Sequence, residues 1–288
     1  MKQILVISGK GGTGKTTLVS SFASLAGGKV LSDCDVDAAD LHLVLSPRVN
    51  RKEEFSGGKE AVKDSSKCTE CGLCYEGCRF DAIDENYEID HFRCEGCGVC
   101  AYVCPEGAIT MEDVLSGYSL ESSTEHGSMI HGELQAGEEA SGKLVTEIKQ
   151  KAKKLAEEEG QELVIIDGSP GTGCPVIASL ADVDFALVVT EPTESGLSDL
   201  KRVVELSKNF EVEPAIVVNK HDLNHQKVSE IEKYAEGHDI PIIGRIPYDS
   251  NVTRAMVEGE SIVEYSDDGA SEAIREIWRK VENKLLEL

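Results

Sequence analysis

The stretch KQILVISGKGGTGKTT, residues 2–17, decides the fold. Residues 2–8 are a short apolar run that predicts a buried strand, and the glycine-rich loop after it leads into a helix beginning near Lys15. The loop fits the pattern G-x-x-x-x-G-K-S/T in the strand–loop–helix setting that a phosphate-binding loop requires. Lys15 would contact the β- and γ-phosphates, and the Thr16 hydroxyl would bind Mg²⁺. The other predicted nucleotide contacts of this loop are Gly9, Gly11, Gly12, Thr13, Gly14 and Thr17.

Strand and helix patterns alternate over most of the chain, with further strands near 29–33, 162–167, 185–190, 215–219 and 241–246. This alternation predicts an α/β fold with a doubly wound, mainly parallel sheet. The alternation breaks in the middle, where residues 50–66 are polar. We therefore expect a P-loop ATPase domain at 1–50 and 114–288, interrupted by a small inserted α+β domain at 51–113. Residues 115–141 are rich in Gly, Ser and Glu, which predicts either a linker or a hairpin.

The formal net charge is −24, and the acidic residues are spread along the chain. An acidic surface repels nucleic-acid phosphates, so we expect no DNA or RNA partner and a basic protein partner instead. Solubility, or a salty cytoplasm, explains the same charge equally well. No apolar run reaches the roughly 18–20 residues that span a bilayer. We therefore expect a cytoplasmic protein without membrane insertion.

Eight of the ten cysteines lie between Cys68 and Cys104, in two C-x-x-C-x-x-C-x-x-x-C repeats. This is the pattern of bacterial-type ferredoxins with two 4Fe–4S clusters, in which the fourth ligand of each cluster comes from the other repeat. Zinc is the alternative, but paired C-x-x-C knuckles are typical of zinc sites. Arg79 stands where a proline usually follows the fourth cysteine. We assign to the first cluster Cys68, Cys71, Cys74 and Cys104, and to the second Cys94, Cys97, Cys100 and Cys78.

Lys10 gives the phosphate loop a second lysine, and the resulting K-G-G-x-G-K-T-T resembles the deviant Walker A loop of the MinD/Mrp/ParA and nitrogenase iron protein group. The resemblance implies that Lys10 reaches the partner's nucleotide across a homodimer. It also implies that Asp35 lies at Mg²⁺ and positions the attacking water, although Asp33 or Asp37 could do this instead. Asp167 would hold the Mg²⁺ water shell. The resemblance further implies nucleotide contacts at the base from Asn219, Lys220, Pro247 and Tyr248.

Cys174 follows Asp167 by seven residues. In nitrogenase iron protein-like ATPases a cysteine at this distance binds a cluster shared by two subunits, so the resemblance makes Cys174 a candidate interface thiol. That family has a second cysteine before the preceding helix, but residues 137–142 contain none. A buried packing role for Cys174 is an equal alternative. Cys34 lies between two aspartates and is interpreted as structural, because negative charge opposes thiolate formation.

The whole chain resembles MinD/Mrp-superfamily ATPases that contain an inserted ferredoxin domain. This resemblance implies an ATPase that uses Mg²⁺ and ATP, carries two 4Fe–4S clusters and forms a homodimer with nucleotide. We expect ATP binding and hydrolysis to control electron delivery to, or metal-centre assembly in, an unidentified partner metalloprotein or redox partner. Two alternatives stay open. One is an iron–sulfur cluster carrier or scaffold, and the other is a MinD- or ParA-like spatial regulator with structural clusters.

Overall fold

The computed structural model describes residues 1–135 and 141–287. Within these residues the strands are β1 (Lys2–Ser8), β2 (Lys29–Asp33), β3 (Arg48–Lys63), β4 (Ile109–Thr124), β5 (Gly127–Leu134), β6 (Leu163–Pro170), β7 (Phe185–Thr190), β8 (Pro214–Asn219) and β9 (Ile242–Ile246). The helices of the same residues are α1 (Lys15–Leu25), α2 (Leu41–Leu45), α3 (Leu73–Gly77), α4 (Val99–Val103), α5 (Ser141–Glu159), α6 (Cys174–Leu180), α7 (Glu194–Asn209), α8 (His225–Glu236), α9 (Ser250–Glu258), α10 (Ile262–Tyr265) and α11 (Ala270–Glu287).

The strands form one sheet in the order β3-β4-β5-β2-β6-β1-β7-β8-β9. From β5 to β9 every neighbouring pair runs parallel. β1 is buried almost throughout, as expected for a parallel strand with helices on both faces. Ile4 and Val6 join the core that contains residues of α1 and α11, while Leu5 and Ile7 alternate to the other face. The predicted doubly wound, mainly parallel α/β fold is confirmed.

The main difference from the sequence prediction lies in the polar residues after position 47, which form the long strand β3. Buried positions in β3 are few and late, at Phe55, Gly57 and Ala61. β3 is also the first strand of the sheet order, so it pairs on one side only. An edge strand that buries so few side chains carries little apolar periodicity, and its pattern was therefore not recognisable.

The hairpin alternative is correct for the residues that follow position 115. β4 and β5 are neighbours in the sheet and are joined by Glu125 and His126. β5 then continues as the parallel partner of β2. Residues 136–140, the last part of the predicted connection, lie outside the described residues.

The chain divides into two compact units. The first comprises 1–53, 118–134 and the described residues from 141 onward, and the second comprises 54–117 with Gln135. The first unit contains the large apolar core, whereas every residue of α3 and α4 in the second unit is at least partly exposed. Among the described residues, no helix has both the length and the apolar character that crossing a membrane requires.

Candidate functional site

The glycine-rich loop after β1 forms a tight turn that leads into α1. Gly12 and Gly14 have φ values of 76° and 99°, in the left-handed region that favours glycine. A Cβ atom at Gly14 would lie 2.4 Å from Nδ2 of Asn219, so this position has no space for a side chain. Lys15 and Thr16 begin α1, and the first N–H groups of a helix are well suited to bind anionic oxygen atoms. The loop is therefore shaped to hold phosphate.

Parallel pairing of β2 with β6 brings two aspartates side by side, because Asp33 and Asp167 are partners in the register. The Thr16 hydroxyl donates a hydrogen bond to Oδ2 of Asp167 at 2.8 Å. Nζ of Lys15 lies 3.6 Å from Oδ2 of Asp35. The three carboxylates, one lysine and one hydroxyl thus form one polar cluster at the carboxyl ends of neighbouring strands, where α/β proteins bind their ligands.

The carboxylates of this cluster carry more negative charge than Lys15 can balance. Burial, with repulsion from Asp167, raises the pKa of Asp33 well above its ordinary range. Burial also raises the pKa of Asp167, against the opposing effects of Lys15 and the Thr16 hydroxyl. The pKa of Asp35 is also raised, because the effect of burial exceeds the opposing effect of Lys15. A divalent cation at this position would stabilise the ionised carboxylates.

Buried oxygen atoms of this cluster, and of Thr13 in the loop, also fit a further ligand. Oδ1 of Asp167, Oδ2 of Asp33 and the Thr13 hydroxyl are buried without a hydrogen-bond partner. Buried polar atoms are normally paired, and oxygen atoms are the ligands that Mg²⁺ prefers. The donor set therefore fits a magnesium ion with its water shell beside bound phosphate.

A cavity of about 380 Å³ opens beside the loop. Asn219, in its wall, donates from Nδ2 to the Thr13 carbonyl at 2.8 Å, and its Oδ1 accepts from the Lys220 backbone N–H at 2.9 Å. The cavity is large enough for a nucleotide-sized ligand. The predicted nucleotide residues in its lining are Gly11, Gly12, Gly14, Lys15, Thr16, Thr17, Asp35, Asn219, Lys220, Pro247 and Tyr248.

The lining also contains residues that sequence reasoning missed, namely Val252, Thr253 and Met256 of α9 and Ile274 of α11. A signal for α9 was available in the sequence. Asp249 accepts a hydrogen bond from the Asn251 N–H at 2.8 Å, which makes it a helix N-cap directly after Tyr248. Predicting that α9 lines the cavity additionally requires the tertiary fold.

Of the predicted residues outside the cavity lining, Asp167 belongs to the polar cluster, and the hydroxyl of Thr13 is buried in the loop. Gly9 packs so closely on α7 that an added Cβ atom would lie 2.3 Å from Cβ of Asp199. Nζ of Lys10 lies 3.4 Å from Oε2 of Glu191 and 3.3 Å from Oγ of Ser195. Lys10 is thus paired within its own chain, and its contact with a second copy stays a prediction.

The eight clustered cysteines lie around two separate cavities within the second unit. Each cavity has four cysteines, three from one repeat and one from the other, in the combinations assigned from the sequence. Four thiolates around one space are the donor set of a 4Fe–4S cluster. The first cavity is lined by Cys68, Cys71, Cys74 and Cys104, and the second by Cys78, Cys94, Cys97 and Cys100.

The loops that carry these cysteines are shaped by glycines before the two short helices. Gly72 precedes α3 with φ 81°, and Gly98 precedes α4 with φ 74°. Within the part of the chain that the structure describes, no three His, Cys, Asp or Glu side chains converge closely enough to hold one metal ion between them. The cysteines of each set line a cavity.

The sequence profile described as the CobQ/CobB/MinD/ParA nucleotide binding domain matches residues 4–262. The chain belongs to this nucleotide-binding family. Its phosphate loop and carboxylate cluster lie within the matched residues.

Similar proteins of this family come from archaea. An uncharacterised protein of Methanocaldococcus jannaschii is 36% identical over 282 residues, which are 97% of this chain and 96% of that protein. The iron-sulfur cluster carrier protein of Pyrococcus abyssi is 33% identical over 141 residues, which are 44% of this chain and 47% of the carrier. The crystal structure of the cell division ATPase MinD from Pyrococcus furiosus matches with a TM-score of 0.61 and 19% identity, covering 98% of both chains. At that identity the likeness to MinD concerns the fold alone.

Two cysteines of this CobQ/CobB/MinD/ParA family member lie outside the cysteine repeats. Cys174 is exposed and begins α6, so the buried packing role does not apply to it. Gly142 lies next to it, since a Cβ atom there would be 3.2 Å from Cβ of Cys174. Cys34 is fully buried, and burial raises the pKa of its thiol to about 12. Cys34 is thus unreactive packing, while Cys174 is an accessible thiol.

Proposed function

We propose that this protein is a Mg²⁺- and ATP-dependent switch with two 4Fe–4S clusters, and that its nucleotide state controls the clusters. ATP binding would join two copies into a homodimer. The output would be electron delivery to, or metal-centre assembly in, a partner metalloprotein. The observation that carries this proposal is the combination, in one chain, of a family nucleotide site with two four-cysteine cavities.

The roles proposed at the nucleotide follow from the contacts of each side chain. Lys15, buried beside the cavity, would balance phosphate charge. Thr16 and Asp167, already joined by a hydrogen bond, would hold Mg²⁺ and its waters. Mg²⁺ would supply charge stabilisation at the transferring phosphoryl group. Asp35, whose Oδ2 lies 3.6 Å from Nζ of Lys15, would orient the attacking water at the terminal phosphate.

In the cysteine unit the proposal assigns each cavity one cluster. The four cysteines of each cavity would be its ligands, and the clusters would supply one-electron chemistry. The proposed coupling to the nucleotide is allosteric, with a typical free energy of about 1–3 kcal/mol. For a one-electron couple this corresponds to a shift of roughly 40–130 mV in reduction potential.

A second candidate function is delivery of an iron–sulfur cluster to another protein. It is favoured by the relative from Pyrococcus abyssi, which is an iron-sulfur cluster carrier protein. In this chain, each of the eight cysteines in the repeats lies at one of the two cavities, so a cluster in transit would use other ligands. Cys174, exposed at the start of α6, is the available candidate.

One experiment tests the proposal and separates it from the carrier function. Protein reconstituted without oxygen should contain roughly eight iron atoms, four for each cluster. Potentiometric titration followed by electron paramagnetic resonance should then give cluster potentials that move when ATP or a non-hydrolysable analogue is added. An iron content of four or fewer, or stoichiometric zinc, contradicts the two-cluster assignment. Potentials unaffected by nucleotide, together with cluster transfer to an apo-ferredoxin, favour the carrier.

A further inference from the structure

The two cysteine cavities differ in the chemistry of their walls. The first contains the polar residues Lys63, Thr69, Glu70, Tyr87 and Glu106. The second contains mainly apolar side chains, with Glu95 as its charged residue: Ala61, Phe80, Ala82, Ile83, Ile89, Val99 and Met111. A reduced cluster carries one more negative charge than an oxidised one, and apolar surroundings disfavour added charge.

Lys63 is the basic residue in the wall of the first cavity. It is the last residue of β3, and its side chain is 10% exposed. Glu70 and Glu106, which carry the opposite charge, are exposed, so water screens them more strongly. Lys63, whose side chain is 10% exposed, is therefore less screened by water than the two glutamates.

Lys63 is held in this position by an ion pair with Glu88. Glu88 is 68% exposed, and it reduces the effect of the lysine charge without removing it. Backbone N–H groups bond to cysteine sulfur in both sets, from Ala108 to Cys104 at 3.3 Å in the first and from Ala101 to Cys100 in the second. The difference between the two sets therefore rests on Lys63 and on the polarity of the walls.

We propose that Lys63 is a potential-setting residue, which holds the reduction potential at the first cysteine set above that at the second. The inference rests on the proposed function, because it needs both clusters. An electron from a low-potential one-electron donor would be held at the first set, whose charge Lys63 balances. The donor would lose one electron and a cluster held by Cys68, Cys71, Cys74 and Cys104 would gain it, with no proton required.

The test is a titration of reconstituted protein with dithionite, followed by electron paramagnetic resonance. The native protein should show two separate potentials. Lys63→Met should lower the higher one, with a roughly tenfold fall in the ratio of reduced to oxidised cluster at fixed potential, or about 59 mV for one electron. Lys63→Arg should preserve the native value, and Glu88→Gln should raise it, because Lys63 then loses its neutralising partner.

The matched control is Lys59→Met in the same strand. Lys59 also pairs with an acid, Asp113 at 3.3 Å, but its side chain is 56% exposed. This variant should leave the higher potential unchanged. The inference is overturned if the two native potentials coincide. It is also overturned if Lys63→Met shifts the lower potential, if it shifts neither potential, or if Lys59→Met shifts the higher potential as much as Lys63→Met does.

Two outcomes separate this inference from the proposed function. If the native protein does not hold two clusters, the proposed function has failed. If the native protein holds two clusters but the Lys63→Met variant fails to hold both, Lys63→Met cannot test the role of Lys63. The Glu88→Gln variant, which keeps the lysine, then provides the test. A lowered or unchanged higher potential in Glu88→Gln overturns the role of Lys63 while leaving the two-cluster assignment in place.

Discussion

The nucleotide site and the cysteine unit are held in different ways. The phosphate loop and the carboxylates follow strands β1, β2 and β6, whose side chains are mostly buried, and the core of this unit includes Phe22 and Phe185. The cysteine unit buries few apolar side chains, and its helices α3 and α4 are partly exposed throughout. The buried apolar residues within 54–117 are Phe55, Ala61, Ala82, Ile83, Ala108 and Ile109.

This difference indicates which of the two sites needs its ligand in order to fold. Apolar packing of the strands holds the phosphate loop and its carboxylates in position, so we expect the nucleotide site to be formed before nucleotide binds. A unit of about 60 residues with so small a core is marginal by itself and needs cross-links or metal to be stable. We therefore expect the clusters to act as the missing core of the cysteine unit, with their binding free energy used as folding free energy.

Removing iron should have the largest effect. Chelation of the reconstituted protein should leave residues 64–108 open to proteases, because their fold depends on the clusters. The first unit should stay resistant, and it should still bind ATP. Limited proteolysis with mass spectrometry measures both regions in one sample. Equal protection of 64–108 before and after chelation would show that this unit has a stable fold without metal.

Lys15→Ala should have the next largest effect, confined to the nucleotide site. Losing the charge partner of buried phosphate costs about 3–5 kcal/mol. This corresponds to a loss of ATP affinity of more than roughly 100-fold. Calorimetry measures the affinity, and Lys154→Ala on the exposed face of α5 is the control. Iron content should be unchanged, and a variant that also loses iron would show that the effect of Lys15 is not confined to the nucleotide site.

Asp35→Ala should slow turnover by about 100-fold or more, since it removes the group that orients water. Binding of ATP should persist, because Lys15 is released from its 3.6 Å contact with Asp35. Asp37→Ala is the matched control, as Asp37 is exposed. Comparing kcat with the Kd for ATP checks this. Equal losses of ATP binding and of turnover would show that Asp35 contributes to ATP binding rather than to the hydrolysis step.

The smallest effect concerns Cys174 and the proposed homodimer. If ATP joins two copies through Lys10, the exposed Cys174 thiols should approach each other. A short thiol crosslinker should then link the copies only with ATP or a non-hydrolysable analogue, and the product should vanish in Lys10→Ala and Cys174→Ser. Crosslinking that does not depend on nucleotide would remove Cys174 from the nucleotide-dependent interface.

The sequence allowed good predictions where function is local in the chain. Residues 9–16 carry the loop, its glycines and its lysine in one stretch, so their arrangement needed no tertiary information. The cysteine sets were predictable because two similar repeats complete each other. Asp33 could not be ranked against Asp35 and Asp37 from sequence alone. Its position beside Asp167 depends on the pairing of β2 with β6, which joins residues far apart in the chain.

The strands that flank the cysteine repeats were harder to predict for a different reason. β3 buries few residues, and the glycines and serines of β4 weaken the pattern of that strand. Packing against neighbouring strands, rather than intrinsic preference, makes these segments extended. The position of α9 at the nucleotide cavity likewise depends on tertiary structure and could not be predicted from the local sequence.

The two ends of the segment that carries the cysteine repeats meet each other. β3 ends at Lys63, β4 begins at Ile109, and between them the Asp64 N–H donates to the Ala108 carbonyl at 2.7 Å. A segment whose ends touch can be inserted into a host with little loop-closure cost and no strain on the flanking strands. In evolutionary terms, residues 65–107 form a cassette. A gene for a simpler nucleotide-binding protein could have gained it, and could lose it again, at the tip of an existing hairpin.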